Sequence, residues 1–101
     1  MQMLMIISRS SLLDDLLALL DSLGVHATTQ LPTVHGVGEA GSARGTFDSP
    51  ASNAVILAAL AEEQASHVIA ELEAFRSRSA AQRPGGRFPL RVFVLPCTQA
   101  V

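Results

Sequence analysis

The chain has 101 residues, enough for one hydrophobic core and too few for two. Apolar residues make up 49% and charged residues 16%, the net charge is −2, and all 7 basic residues are arginine. This composition offers no basic field for nucleic acid or an anionic membrane, and with 4 Phe as the sole aromatics it offers no base-stacking platform.

Met3 to Ile7 is apolar at every position and short, which reads as a strand buried on both faces. The opening segment MQMLMIISRSS lacks a basic n-region and is too short for a signal peptide or a bilayer span, so direct membrane insertion is not expected. From Ser11 the period becomes helical: Leu12, Leu13, Leu16, Leu17, Leu20 and Leu23 share a stripe, with Asp14, Asp15 and Asp21 between them. Ser11 and Asp14 resemble a capping box, and Gly24 stands where a helix turns left-handed to end. Val25 to Val34 is β-prone but carries Pro32, which cannot donate to a ladder and predicts a bulge or an edge strand.

Gly36 to Pro50 (GVGEAGSARGTFDSP) is rich in glycine and nearly devoid of large apolar side chains. A hairpin needs only about two to five residues of turn, so a loop of this length on a rigid scaffold points to binding. Asn53 to Leu60 (NAVILAAL) is a third strand, apolar on both faces. A second amphipathic helix runs from about Glu62 to Arg78, with Ala65, Val68, Ile69, Leu72 and Phe75 inward, acids at its start and Arg76 and Arg78 at its end. Ser79 to Phe88 reads as a polar connector, and Leu90 to Leu95 as the last strand, ended by Pro96.

The order β-α-β-β-α-β predicts an α+β, ferredoxin-like domain spanning residues 1–101, a four-stranded antiparallel sheet with both helices on one face. Two helices cover one face only, yet three strands are apolar on both. The bare face therefore predicts a homo-oligomer, most economically a homotrimer with sheets facing inward, unless its alanines make it less hydrophobic than the pattern suggests. The single cysteine forms no internal disulfide and fits a reducing, cytoplasmic setting.

Val34-His35-Gly36-Val37-Gly38 resembles the V-[KH]-G-x-G motif with which the PII signal-transduction proteins leave their second strand for a long effector loop. The "LG" step at Leu23-Gly24 and the final strand at Arg91-Val92-Phe93-Val94 are similar too. Gly45-Thr46-Phe47-Asp48-Ser49-Pro50-Ala51-Ser52-Asn53 resembles the G-T-x-x-x-P-x-x-N pattern of a divergent PII-like subgroup. The resemblance implies a trimeric regulator that binds a small effector, ATP, ADP, AMP or another small anion, in clefts between subunits. It also implies that the loop engages a protein target, such as a membrane transporter or an enzyme.

On that resemblance Gly36, Val37 and Gly38 approach the ligand with their backbone, and Arg83, Gly85, Gly86, Arg87 and Arg91 supply the connector side of the cleft, Arg91 aligning with a phosphate-contacting lysine. Glu39, Ser42, Arg44, Thr46, Phe47 and Asp48 form the partner-binding part of the loop. The chain departs from the family at Glu39, where a base is usual, in connector glycines that come a few residues early, and in closing at Cys97-Thr98-Gln99-Ala100-Val101 without a further basic stretch.

Other constellations are weaker. His35 and Glu39 are the one pair spaced to share a metal, and they keep open a metal-responsive trimer similar to the divalent-cation-tolerance proteins. A ligand-free interaction module is the third reading. Ser42, Ser49 and Ser52 lack a paired His and acid at catalytic spacing, so no enzyme is expected.

Overall fold

The structure, a computed structural model, describes residues 1–38, 41–42, 52–86 and 88–101. In chain order the elements are β1 (Gln2–Arg9), α1 (Leu13–Ser22), β2 (Thr29–Val34), β3 (Val37–Gly38), β4 (Gly41–Ser42), β5 (Asn53–Leu60), α2 (Glu62–Ala81) and β6 (Leu90–Pro96). Short 3-10 turns occupy Ser10–Leu12 and Pro84–Gly86. β2, β5, β1 and β6 make a four-stranded antiparallel sheet in that spatial order, and β3 pairs with β4 in a separate small ladder. This is the ferredoxin-like arrangement that the element order predicts.

Alternation along the strands decides which residues make the core. β1 turns Leu4, Ile6 and Ser8 inward, β5 turns Ala54, Ile56, Ala58 and Leu60 inward, and Leu90 of β6 joins them. Leu16 and Leu20 of α1 and Ala65, Val68 and Leu72 of α2 close over that face. Each fully buried Leu or Ile contributes about 1.5–3 kcal/mol relative to exposure, so the Leu stripe of α1 is what docks it.

The helix ends follow local chemistry. α1 stops in a Schellman motif: Gly24 takes φ +84, its N–H donates to the Asp21 carbonyl at 3.0 Å, and the Val25 N–H donates to the Leu20 carbonyl at 2.9 Å. Val25 is thereby committed to the cap and buried beside Leu20, so β2 begins at Thr29 and not at Val25. The capping box expected at Ser11 and Asp14 does not form. The chain enters α1 through the 3-10 turn, Leu12 occupies the N-cap, and no side chain caps it. α2 starts at Glu62 as expected and runs to Ala81, taking the first part of the expected connector.

Pro32 acts on β2 in both of the expected ways. β2 is an edge strand, and its register against β5 shifts between Leu31↔Val55 and Val34↔Asn53, so Pro32 and Thr33 together oppose Ala54.

The sheet face away from the helices is apolar in ranks. Leu31, Val55 and Ile7 lie across it in one row ending at Arg91; Leu57, Met5 and Phe93 form the next row, with Thr29 at its edge; Ala59, Met3 and Leu95 form the third. Leu31, Phe93 and Leu95 are 46%, 49% and 43% exposed, so the rows form a contiguous apolar patch at the surface of the chain.

Candidate functional site

The strand ends fix where the long loop leaves and returns. The register sets Val34, Asn53 and Arg9 at one end of the sheet, beside Ser8 and Leu90. His35 and Gly36 continue from β2 into the β3–β4 ladder, in which Val37 faces Ser42 and Gly38 faces Gly41. This ladder has two residue pairs and is separate from the four-stranded sheet.

Three hydrogen bonds tie this corner. The Ser10 hydroxyl donates to the Pro32 carbonyl at 2.8 Å, and the Ser52 hydroxyl donates to Ser10 Oγ at 2.8 Å. The Ser10 N–H donates to the Ser52 carbonyl at 2.9 Å. Close by, Arg9 stands opposite Asn53 and buries its Nη1 without a hydrogen-bond partner among the described residues. Sequence reasoning missed this corner. In the run Ser8-Arg9-Ser10-Ser11 the sequence points to a role for Ser11 alone, as a helix cap, and gives none to Arg9 or Ser10.

Gly36 is exposed, lies outside the left-handed region, and a Cβ built on it would meet nothing within 4 Å. Among the described residues nothing in the backbone angle or the surroundings requires glycine there. Gly85 and Gly86 differ: with φ of 82° and 63°, both take the left-handed conformation that turns α2 back toward β6.

Phe88 secures that turn. Its ring packs edge-to-face on Phe75 of α2, with centroids 5.6 Å apart at 77°, and the Arg83 guanidinium sits 5.5 Å over it. Arg83 is thus held near the turn by a cation–π contact. Arg91 projects from β6 opposite Ile7, on the open apolar face.

The expected ligand residues therefore fall into two groups. Gly36, Val37 and Gly38 follow the edge strand β2, whereas Arg83, Gly85, Gly86 and Arg91 flank the other edge strand, β6. Three strand spacings, about 14 Å, separate the two edge strands. Arg87 lies outside the described residues. So do Glu39, Arg44, Thr46, Phe47 and Asp48 of the expected partner-binding loop, of which Ser42 lies in β4.

Of the expected metal pair, His35 is exposed and Glu39 lies outside the described residues, among which no three of His, Cys, Asp and Glu gather as a metal site. His26 Nδ1 meets Asp21 Oδ1 at 2.6 Å on the surface, and Cys97 is a half-buried free thiol. A groove of about 200 Å³ between α2 and β6, lined by Ile69, Leu72, Glu73, Arg76, Leu90 and Val92, lies on the helix side of the sheet and includes none of the expected ligand residues. Among the described residues no helix is long and apolar enough to cross a membrane.

The structure of CPII, a nitrogen regulatory PII-like protein from Thiomonas intermedia K12, bound to ADP, AMP and bicarbonate, is similar to this one with a TM-score of 0.69 and 27% identity, over 93% of this chain and 82% of that one. CPII bound to ADP and bicarbonate gives a TM-score of 0.67 and 26% identity over the same shares. A PII-like signaling protein from Thermus thermophilus shares the fold at a TM-score of 0.59 and 18% identity, over 93% of this chain and 83% of that one. A comparison with curated proteins finds no sequence match. The model of the family "Nitrogen regulatory protein P-II" matches residues 1–101, and the chain belongs to that family.

Proposed function

We propose that the protein is a homotrimeric, non-enzymatic regulator of the cytoplasm that binds an adenine nucleotide or another small anion between subunits. Through its long loop it signals to a protein target such as a transporter or an enzyme. The observation that carries this reading is the apolar sheet face that the helices leave uncovered, bounded by β2 at one edge and β6 at the other. Packing that face against other copies sets the β2 edge of one chain near the β6 edge of the next. Gly36, Val37 and Gly38 of one subunit then face Arg83, Gly85, Gly86, Arg87 and Arg91 of its neighbour.

The chemistry suits an anion. Gly36 is exposed, and among the described residues nothing lies within 4 Å of a Cβ built on it, which leaves room for a ligand to approach the main chain. Arg9, whose buried Nη1 has no hydrogen-bond partner among the described residues, and Arg91 add positive charge at the same end of the sheet. The likeness to CPII, whose structures hold ADP and bicarbonate and in one case AMP as well, supports these as the first ligands to test. Glu39, Ser42, Arg44, Thr46, Phe47 and Asp48, in the long stretch between β2 and β5, would carry the state of the site to a partner. A loop ordered by a ligand is a two-state element, which regulation requires.

The test is calorimetric titration of the protein with ATP, ADP and AMP, each with and without bicarbonate, together with divalent metals alone. Saturable binding of a nucleotide or of bicarbonate is the expected result. Binding of metal alone, with no response to any nucleotide or anion, would overturn the reading in favour of a metal-responsive trimer.

A further inference from the structure

We propose that Ser10 is a positioning residue for the long loop: through one hydroxyl it locks the strand that leads into the loop to the strand that leads out. The Ser10 hydroxyl has a single proton to give and lone pairs to accept with, and both capacities are used. It donates to Pro32 on β2 at 2.8 Å and accepts from Ser52, the residue just before β5, at 2.8 Å. Its own N–H returns to the Ser52 carbonyl at 2.9 Å. These partners are 22 and 42 residues away in sequence, so no local turn preference explains the arrangement.

The choice of Pro32 as partner has a physical reason. Pro32 and Thr33 oppose the single residue Ala54, and such a bulge bends its strand and leaves a residue out of the ladder. Proline has no N–H, so its carbonyl is the one backbone group by which it can be held. Ser10 holds it. The bend in β2 sets the direction in which the chain passes to His35 and Gly36, and the same hydroxyl fixes where the chain returns at Ser52. Displacing one stem therefore strains the other, and both are referred to the turn Ser10–Leu12 that enters α1.

Two measurements on the full chain test this, using Ser10→Ala, Ser10→Thr and Ser52→Ala. In amide hydrogen exchange, Ser10→Ala speeds exchange about fivefold at Leu31, Thr33, Val34 and Asn53, the loss of roughly one hydrogen bond, and leaves Leu4 and Ile56 at the wild-type rate. Ser10→Thr restores the slow rates because it restores the hydroxyl. Ser52→Ala speeds the same amides by a smaller factor. Unchanged exchange at the stems in Ser10→Ala, or failure of Ser10→Thr to restore it, would overturn the proposal.

The second measurement rests on the ligand reading above. The rise in melting temperature caused by ADP with bicarbonate shrinks in Ser10→Ala and recovers in Ser10→Thr. An equal rise in the wild type and Ser10→Ala would refute the positioning role. If ADP with bicarbonate fails to shift the wild type while the exchange pattern holds, the ligand reading fails and the Ser10 lock stands.

Discussion

Glycine serves two unrelated purposes in this chain, and mutation separates them. Gly24 occupies the left-handed end of α1, where any Cβ is strained, so Gly24→Ala is expected to cost about 1–2 kcal/mol in denaturant unfolding. Gly36 has ordinary backbone angles and open space around its Cα. Gly36→Val is therefore expected to leave the unfolding midpoint of the protein nearly unchanged while weakening nucleotide binding at least tenfold by calorimetry. A Gly36→Val protein that binds ADP as the wild type does would remove this glycine from the site. The serines draw a similar contrast. Ser11 looked like a cap and caps nothing, whereas its neighbour Ser10 joins the two stems of the loop.

At the level of elements, the turn after α2 depends on one ring. Phe88 is held edge-to-face by Phe75 and covered by Arg83, and it keeps the left-handed pair Gly85-Gly86 next to the start of β6. Phe88→Ala should cost about 1–3 kcal/mol of stability and weaken anion binding several-fold, because the arginine and the turn lose their common support. Leu72→Ala, in the centre of α2 and 1% exposed, should cost about 2–5 kcal/mol and leave affinity per folded chain unchanged. Chemical denaturation beside titration distinguishes the two variants.

The elements also show how far residues alone could lead. Asn53–Leu60 and the start of α2 at Glu62 were legible because a run apolar at both parities and a helical stripe are strong patterns. The beginning of β2 was not, since Val25 is as apolar in a helix cap as in a strand, and only the bond from its N–H to Leu20 decides between them. The β3–β4 ladder was hidden for another reason: its strands are two residues long, and apart from Val37 they consist of Gly and Ser, which carry little strand preference. The placement of Gly36 after one edge strand and of Arg91 on the other was open to reasoning from topology, but the hydrogen bond from Ser10 to Pro32 depends on a bulge register that composition does not encode.

For the whole molecule the decisive feature is the bare face made by Leu57, Met5 and Phe93 with their neighbouring rows. A charge at its centre should prevent copies from packing there. Phe93→Glu, whose side chain is 49% exposed in the lone chain, is expected to keep the fold by circular dichroism and to run as a monomer in light scattering. This variant allows the most direct measurement of the central claim, that the ligand site is shared between copies: calorimetric titration of ADP with bicarbonate into the wild type and into Phe93→Glu. The account predicts saturable binding to the assembled wild type and none to the folded monomer. Undiminished binding by the monomer, or none by the assembled wild type, would contradict it.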